Sequence, residues 1–96
     1  MARYRILAEA DADIDKIDVD GIERWGLAQA KNYLIGLHER LEFLADSPNT
    51  GFNSDALSPG LQRFRYDRHV IFFTNTNDKI FIVRVLGEAM DFERHL

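Results

Sequence analysis

Cysteine is absent from this chain of 96 residues. Disulfide stapling, thiolate chemistry and zinc–thiolate sites are thereby excluded. No run of about 20 apolar residues occurs, so a membrane-spanning helix is not expected. The opening Met1-Ala2-Arg3-Tyr4-Arg5 leads into a strand-like stretch rather than the apolar core of a signal peptide. A cytosolic location is the default expectation. The six glycines are scattered, with neither the GxGxxG nor the phosphate-loop spacing. No repeat, low-complexity tract or Pro/Gly-rich linker divides the chain, and its length suits one domain. Positive charge is in short supply: 12 Lys and Arg stand against 16 Asp and Glu, a net charge of −4. Phosphate contacts need clustered positive charge, so general nucleic-acid binding is disfavoured.

What is present is an ordinary globular composition, 46% hydrophobic and 29% charged, too apolar for intrinsic disorder. The charges are unevenly placed. Glu9, Asp11, Asp13, Asp15, Asp18, Asp20 and Glu23 lie early, and Arg63, Arg65, Arg68, Arg84 and Arg94 lie late. A local arginine patch suits an acidic partner.

Arg3–Leu7 alternates and carries β-favouring residues, which predicts a short strand. Ala10, Ile14, Ile17, Gly21/Ile22 and Trp25 recur at helical spacing and predict a helix over 9–25, with the acids between them on a solvated face. Trp25-Gly26 reads as its stop. A second helix over 27–46 follows from Ala30, Tyr33, Leu34, Leu37, Leu41 and Leu44, and the short connection predicts an antiparallel helical hairpin. Asp46–Gly60 reads as a break and loop. The period then changes to two. Strands are expected over 61–66, 68–74 and 79–86, with a turn at Asn75–Asp78. In the first of them Arg63 and Arg65 share one face, and Phe64 and Tyr66 the other. The third is apolar on both faces apart from Arg84, which predicts a central strand covered on one side by the helices. Met90–Leu96 suits a last helical turn or two. The fold class is α+β in the order β-α-α-β-β-β, an antiparallel meander covered by the hairpin; the partner of the first strand is left open.

Few residues invite chemistry. His38, His69 and His95 are far apart, and surface or hydrogen-bonding roles outweigh a metal site. The aspartates at 11, 13, 15, 18 and 20 fail the calcium-loop pattern, because the sixth position from Asp11 is Lys16 and the twelfth is Ile22. A charge inside a core strand costs several kcal/mol if unpaired. Arg84 is therefore expected to meet an acid such as Asp91 or Asp67, or to reach a cleft and contact a partner's carboxylate or phosphate. Ribonuclease chemistry needs a base and cations around a phosphate. Arg63, Arg65, Arg84, His69 and His95 are the residues able to supply them, but dispersed histidines without a tail tyrosine support catalysis only weakly. No catalytic set and no cofactor is assigned.

Several pieces, in order, resemble the ParE toxins of the RelE/ParE superfamily. They are Ala10-Asp11 with Ile14 and Ile17; Trp25-Gly26, Gln29-Ala30 and Tyr33; Leu44-Ala45 and Pro48–Gly51; Pro59–Phe64; His69–Phe73; Ile82–Leu86; Met90-Asp91; and Arg94–Leu96. The resemblance runs along nearly the whole chain and implies the same β-α-α-β-β-β order. It also implies a toxin of a toxin–antitoxin module, associated with plasmid stabilisation, that poisons DNA gyrase. Its implied keeper is a ParD-like antitoxin with a ribbon-helix-helix half, so that DNA is reached only indirectly, through a hetero-oligomer. Members of the RelE branch instead cut messenger RNA on the ribosome, using a tyrosine or histidine near the C-terminus; the missing tail tyrosine favours the ParE branch. ParE-like chains often carry histidine where this one has Gly87. An inactive homologue that only binds its antitoxin is the remaining alternative. On this resemblance the candidate target-binding residues are Arg63, Arg65, Arg84, Met90, Asp91, Arg94 and His95. The candidate antitoxin-binding residues are Trp25, Tyr33 and Leu37, on the hairpin.

Overall fold

A computed structural model describes residues 4–77 and 79–96. Strand β1 (Tyr4–Ile6) leads into α1 (Ala8–Trp25) and α2 (Leu27–Asp46). A 3-10 turn (Pro48–Thr50) and a two-residue strand β2 (Phe52–Asn53) precede β3 (Gln62–Tyr66), β4 (His69–Thr76) and β5 (Lys79–Gly87). Helix α3 (Phe92–His95) ends the chain. The expected order is present. Of the expected first strand, Arg3 lies outside the described residues, and Leu7 adds only its N–H to Ile82 O at 3.0 Å. The stretch read as loop contains β2, too short to carry a period. Arg68 lies in the β3–β4 turn rather than in the strand, because Tyr66 pairs with His69 across a two-residue connection. Asp67 takes φ 51° in that turn, a conformation aspartate tolerates. At the next hairpin Asn75 and Thr76 belong to β4, Thr76 pairs with Lys79, and Asn77 is also left-handed at φ 52°; Asp78 lies outside the described residues.

The five strands form one sheet in the order β1-β5-β4-β3-β2. The meander is antiparallel, but β1 lies parallel to β5, with Tyr4 opposite Ile80 and Ile6 opposite Ile82, so the sheet is mixed. The parallel pair follows from the crossover through the helical hairpin, which returns the chain to the far side of the sheet.

The hairpin covers one face. Gly26 has φ 89°, a value that suits glycine; its N–H still bonds Ile22 O, and α2 starts at the next residue. Gly21 lies against Ala30, where an added Cβ would come 3.3 Å from the alanine methyl, so the helices approach closely. Leu37, Leu41 and Leu44 meet Ile71, Phe73, Ile80, Ile82 and Val85 in a buried cluster. Each such fully buried side chain contributes about 1.5–3 kcal/mol. The opposite face is also covered. Leu61, Val70, Phe72 and Leu86 form a second cluster, closed by Leu57 and by Phe92 and Leu96 of the C-terminal segment.

Strand β5 reaches both clusters through a bulge. Phe72 opposes Arg84 and Phe73 opposes Ile82, which leaves Val83 without an opposite residue. Strict alternation would send Ile82 and Val85 to opposite faces; the extra residue brings both under the helices.

Candidate functional site

Beyond residue 82, β5 loses its neighbour, because β1 ends at Ile6 and the chain turns into α1. A carboxylate takes the vacated place. Asp13, on α1, accepts from Arg84 Nε at 2.7 Å and Nη2 at 2.8 Å, and from the Val85 backbone N–H at 3.0 Å. Arg84 Nη1 donates to the His95 carbonyl at 2.6 Å and lies 3.7 Å from Glu9. Asp13, through hydrogen bonding and charge, raises the arginine's pKa further, so the guanidinium stays charged. Both side chains are 14% exposed. Arg84 is thus neither paired with Asp91 or Asp67 nor presented to a target: its ligands are internal, and it ties α1 to the C-terminal segment. Asp13, in turn, does not belong to the solvated face expected of the early acids.

Beside this pair opens a cleft of about 470 Å³ between the C-terminal half of α1, the start of α2 and the loops after β3 and β5. Gly26 sets its rim by placing Trp25 at the corner of the hairpin, 43% exposed. The Arg68 guanidinium sits over the indole, 4.3 Å from the ring centroid. Deeper in, Tyr33 Oη and His69 Nδ1 are 2.7 Å apart, and the Tyr66 hydroxyl donates to the Tyr33 carbonyl at 2.9 Å. Burial, reinforced by Arg68, lowers the His69 pKa and favours the neutral ring. Burial also raises the Tyr33 pKa, against a backbone hydrogen bond from Arg68, so the phenol stays protonated beside the imidazole. Met90 closes the far wall, 40% exposed, its sulfur accepting from the Gly87 N–H at 3.2 Å. The cleft therefore offers aromatic surface, an arginine and a soft thioether, the chemistry of a surface that grips protein side chains. Among the described residues no group of three or more His, Cys, Asp or Glu is placed to hold a metal ion.

The remaining candidate residues fall in two places. Arg63 and Arg65 stand on the sheet face away from the helices, opposite Phe72 and Val70. Arg65 pairs with Glu88 and donates through Nε to the Asp67 carbonyl at 2.8 Å. The C-terminal segment packs on that same face through Phe92, whose ring meets Phe72 at 5.0 Å. Asp91 caps α3 by accepting from the Glu93 N–H at 3.2 Å, and the Arg94 and His95 side chains are exposed. Leu37 is a correction. It is 0% exposed, sealed between the helices and the sheet, and has no surface to offer an antitoxin. The sequence reading missed Arg68 as a wall residue of the cleft, and Arg40, Phe43, Phe52 and Tyr66 on the neighbouring surface. Gly36 was the available signal for Tyr66, since a glycine within an otherwise good helix marks a close approach.

Comparisons with known proteins identify the family. Residues 4–92 match the family described as "ParE toxin of type II toxin-antitoxin system, parDE". Toxin ParE1 of Caulobacter vibrioides is 33% identical over 96 residues, covering 100% of this chain and 99% of that protein. Toxin ParE1 of Mycobacterium tuberculosis is 32% identical over 96 residues, covering 99% and 98%. A solved structure described as the chromosomal ParDE TA system from P. aeruginosa superposes with a TM-score of 0.78 at 20% identity, over 91% of this chain and 96% of that one, and so shares the fold. The chain belongs to the ParE family, the toxins of type II toxin–antitoxin systems.

Proposed function

We propose that this toxin acts by binding rather than by bond cleavage: it inhibits DNA gyrase and is neutralised by a ParD-like antitoxin. The observation that carries the reading is the match to ParE toxins from end to end. The geometry supports a division of surfaces. Arg63, Arg65 and the tail residues Asp91, Arg94 and His95 border the sheet face away from the helices and, with Met90 at the far wall of the cleft, are the candidate gyrase contacts. Trp25 and Tyr33 line the hairpin cleft and are the candidate antitoxin contacts. An antitoxin segment that orders on the toxin gains from such a cleft, because Trp25 offers a large apolar surface at little entropic cost.

Arg84, one of the cations a ribonuclease reading would use, has its guanidinium engaged by Asp13 and the His95 carbonyl, which weakens that reading. The deciding experiment is supercoiling of relaxed plasmid by purified gyrase, run beside ribosome-dependent cleavage of a messenger RNA. Loss of supercoiling with intact RNA is expected. Cleaved RNA with normal supercoiling would move the protein to the nuclease branch. Silence in both, with antitoxin still bound, would leave an inactive homologue.

A further inference from the structure

An aromatic seam runs between α2 and the outer edge of the sheet. Phe64 of β3 lies 5.9 Å from Phe43 of α2 and stacks on Phe52 of β2 at 6.5 Å and 11°. Phe43 and Phe52 are 44% and 65% exposed. Arg40 bridges the Phe64 and Tyr66 rings, 5.5 and 5.7 Å from their centroids. A shallow groove of about 460 Å³ follows this seam past Gly36.

The groove borders unpaired backbone. Along β3, alternate residues turn their peptide groups outward. The Leu61 carbonyl accepts from the Ser54 N–H at 2.9 Å, and Arg63 opposes Phe52 of β2. Arg65 is next in that series, and β2 does not reach it. Among the described residues its carbonyl meets only Arg40 Nη1, at a long 3.4 Å. Exposed rings beside an open edge invite a further strand. The charge is also selective. Arg40 and Arg63 have no acidic partner among the described residues, although the chain as a whole carries −4. Phe64 and Tyr66 flank the edge on the helix side, and Arg63 and Arg65 on the other.

We infer that this edge is a docking groove for an extended segment of the antitoxin in which apolar and acidic residues alternate. The apolar side chains enter the seam among Phe43, Phe64 and Tyr66. The acidic ones turn to Arg63 on the opposite face, so that the antitoxin also covers a candidate gyrase contact, and the main chain pairs with Arg65, releasing Arg40 to meet a carboxylate. Glu39, also at the groove, disfavours acids placed directly over α2. The inference rests on the antitoxin reading above and is separate from the Trp25 cleft.

The test is amide exchange by NMR on the isotope-labelled toxin, alone and bound to the antitoxin encoded with it, together with affinities of surface variants. Slowing of the Arg65 amide by at least about tenfold on binding is expected. Arg63→Glu should weaken binding about tenfold or more with unchanged circular dichroism, while Lys31→Glu, on an exposed site of α2 outside the groove, should stay within about twofold. An antitoxin that binds while the Arg65 amide exchanges as before, and that tolerates Arg63→Glu, overturns the groove but leaves the antitoxin reading standing. Arg65 protection that appears in the toxin alone as its concentration rises assigns the edge to a second copy and overturns the proposal. No association at all removes the antitoxin reading, and this inference with it.

Discussion

Arg84 and Asp13, 71 residues apart in sequence, form a two-pronged ion pair in which the carboxylate also takes the Val85 N–H. The carboxylate completes a strand edge that β1 leaves unpaired, and the guanidinium holds the last turn of the chain through the His95 carbonyl. Removing either partner takes from a largely buried charge its nearest counter-charge, so Asp13→Ala or Arg84→Ala should each cost about 3 kcal/mol. Replacing both together by apolar residues, Asp13→Leu with Arg84→Met, should cost less than the sum of the single changes. Denaturant unfolding of the four proteins gives the cycle. Strict additivity would reduce the pair to two independent side chains.

Gly36 sits where α2 crosses Tyr66. A Cβ there would clash with the Tyr66 hydroxyl and lie 3.1 Å from its Cζ. Glycine-to-alanine changes within helices ordinarily stabilise by about 0.5–1 kcal/mol. Here Gly36→Ala should instead destabilise by about 1–3 kcal/mol, as overpacked sites do, and break the hydrogen bond from Tyr66 to the Tyr33 carbonyl. Tyr66→Phe removes the clashing oxygen, so the double variant should recover part of the loss. A melting temperature in Gly36→Ala equal to or above that of the parent protein would contradict the close approach.

His69 links stability to pH. Its folded pKa lies below the ordinary value, first because the ring is buried and then because Arg68 is near. A base with a depressed pKa contributes stability that is fully present above its unfolded pKa, near 6.5, and is lost as pH falls toward the folded value. The imidazolium carries a proton on both ring nitrogens, so the one facing Tyr33 Oη at 2.7 Å can then only donate. The melting temperature of the parent protein should fall as pH drops below about 6.5, and His69→Gln should fall less steeply. Parallel curves for the two proteins would exclude the histidine as the source.

Trp25 is the single tryptophan, and its indole lies under Arg68. A cation over an exposed ring contributes about 0.5–1 kcal/mol. Arg68→Ala should therefore lower stability only slightly while shifting the emission to longer wavelength as water reaches the ring. Antitoxin binding at the cleft should shift emission the other way. Emission unchanged by a bound antitoxin would place its contacts elsewhere on the toxin.

Much of the architecture is legible in local periodicity. The three- and four-residue spacing of Ala30, Leu34, Leu37, Leu41 and Leu44 determined α2 and its inner face, Gly26 its beginning, and the alternation of Arg63 to Tyr66 the two faces of β3. Such patterns are local because an element's own geometry repeats within a few residues. Depth, partners and register are not local. Leu37 and Tyr33 belong to one helical stripe, yet one is sealed against the sheet and the other reaches the cleft, because the sheet underlies only part of α2. The acid that neutralises Arg84 could not be named from spacing, since Asp13 matches its neighbours in sequence and differs only in facing the edge that β1 leaves open. The bulge at Val83, the parallel seat of β1 and the place of Arg65 at a strand edge that β2 does not reach likewise exist only once five strands are laid side by side. The sequence alone determined which elements form and which face each turns inward; the tertiary structure decided what lies opposite each residue, because burial and pairing depend on segments far apart in the chain.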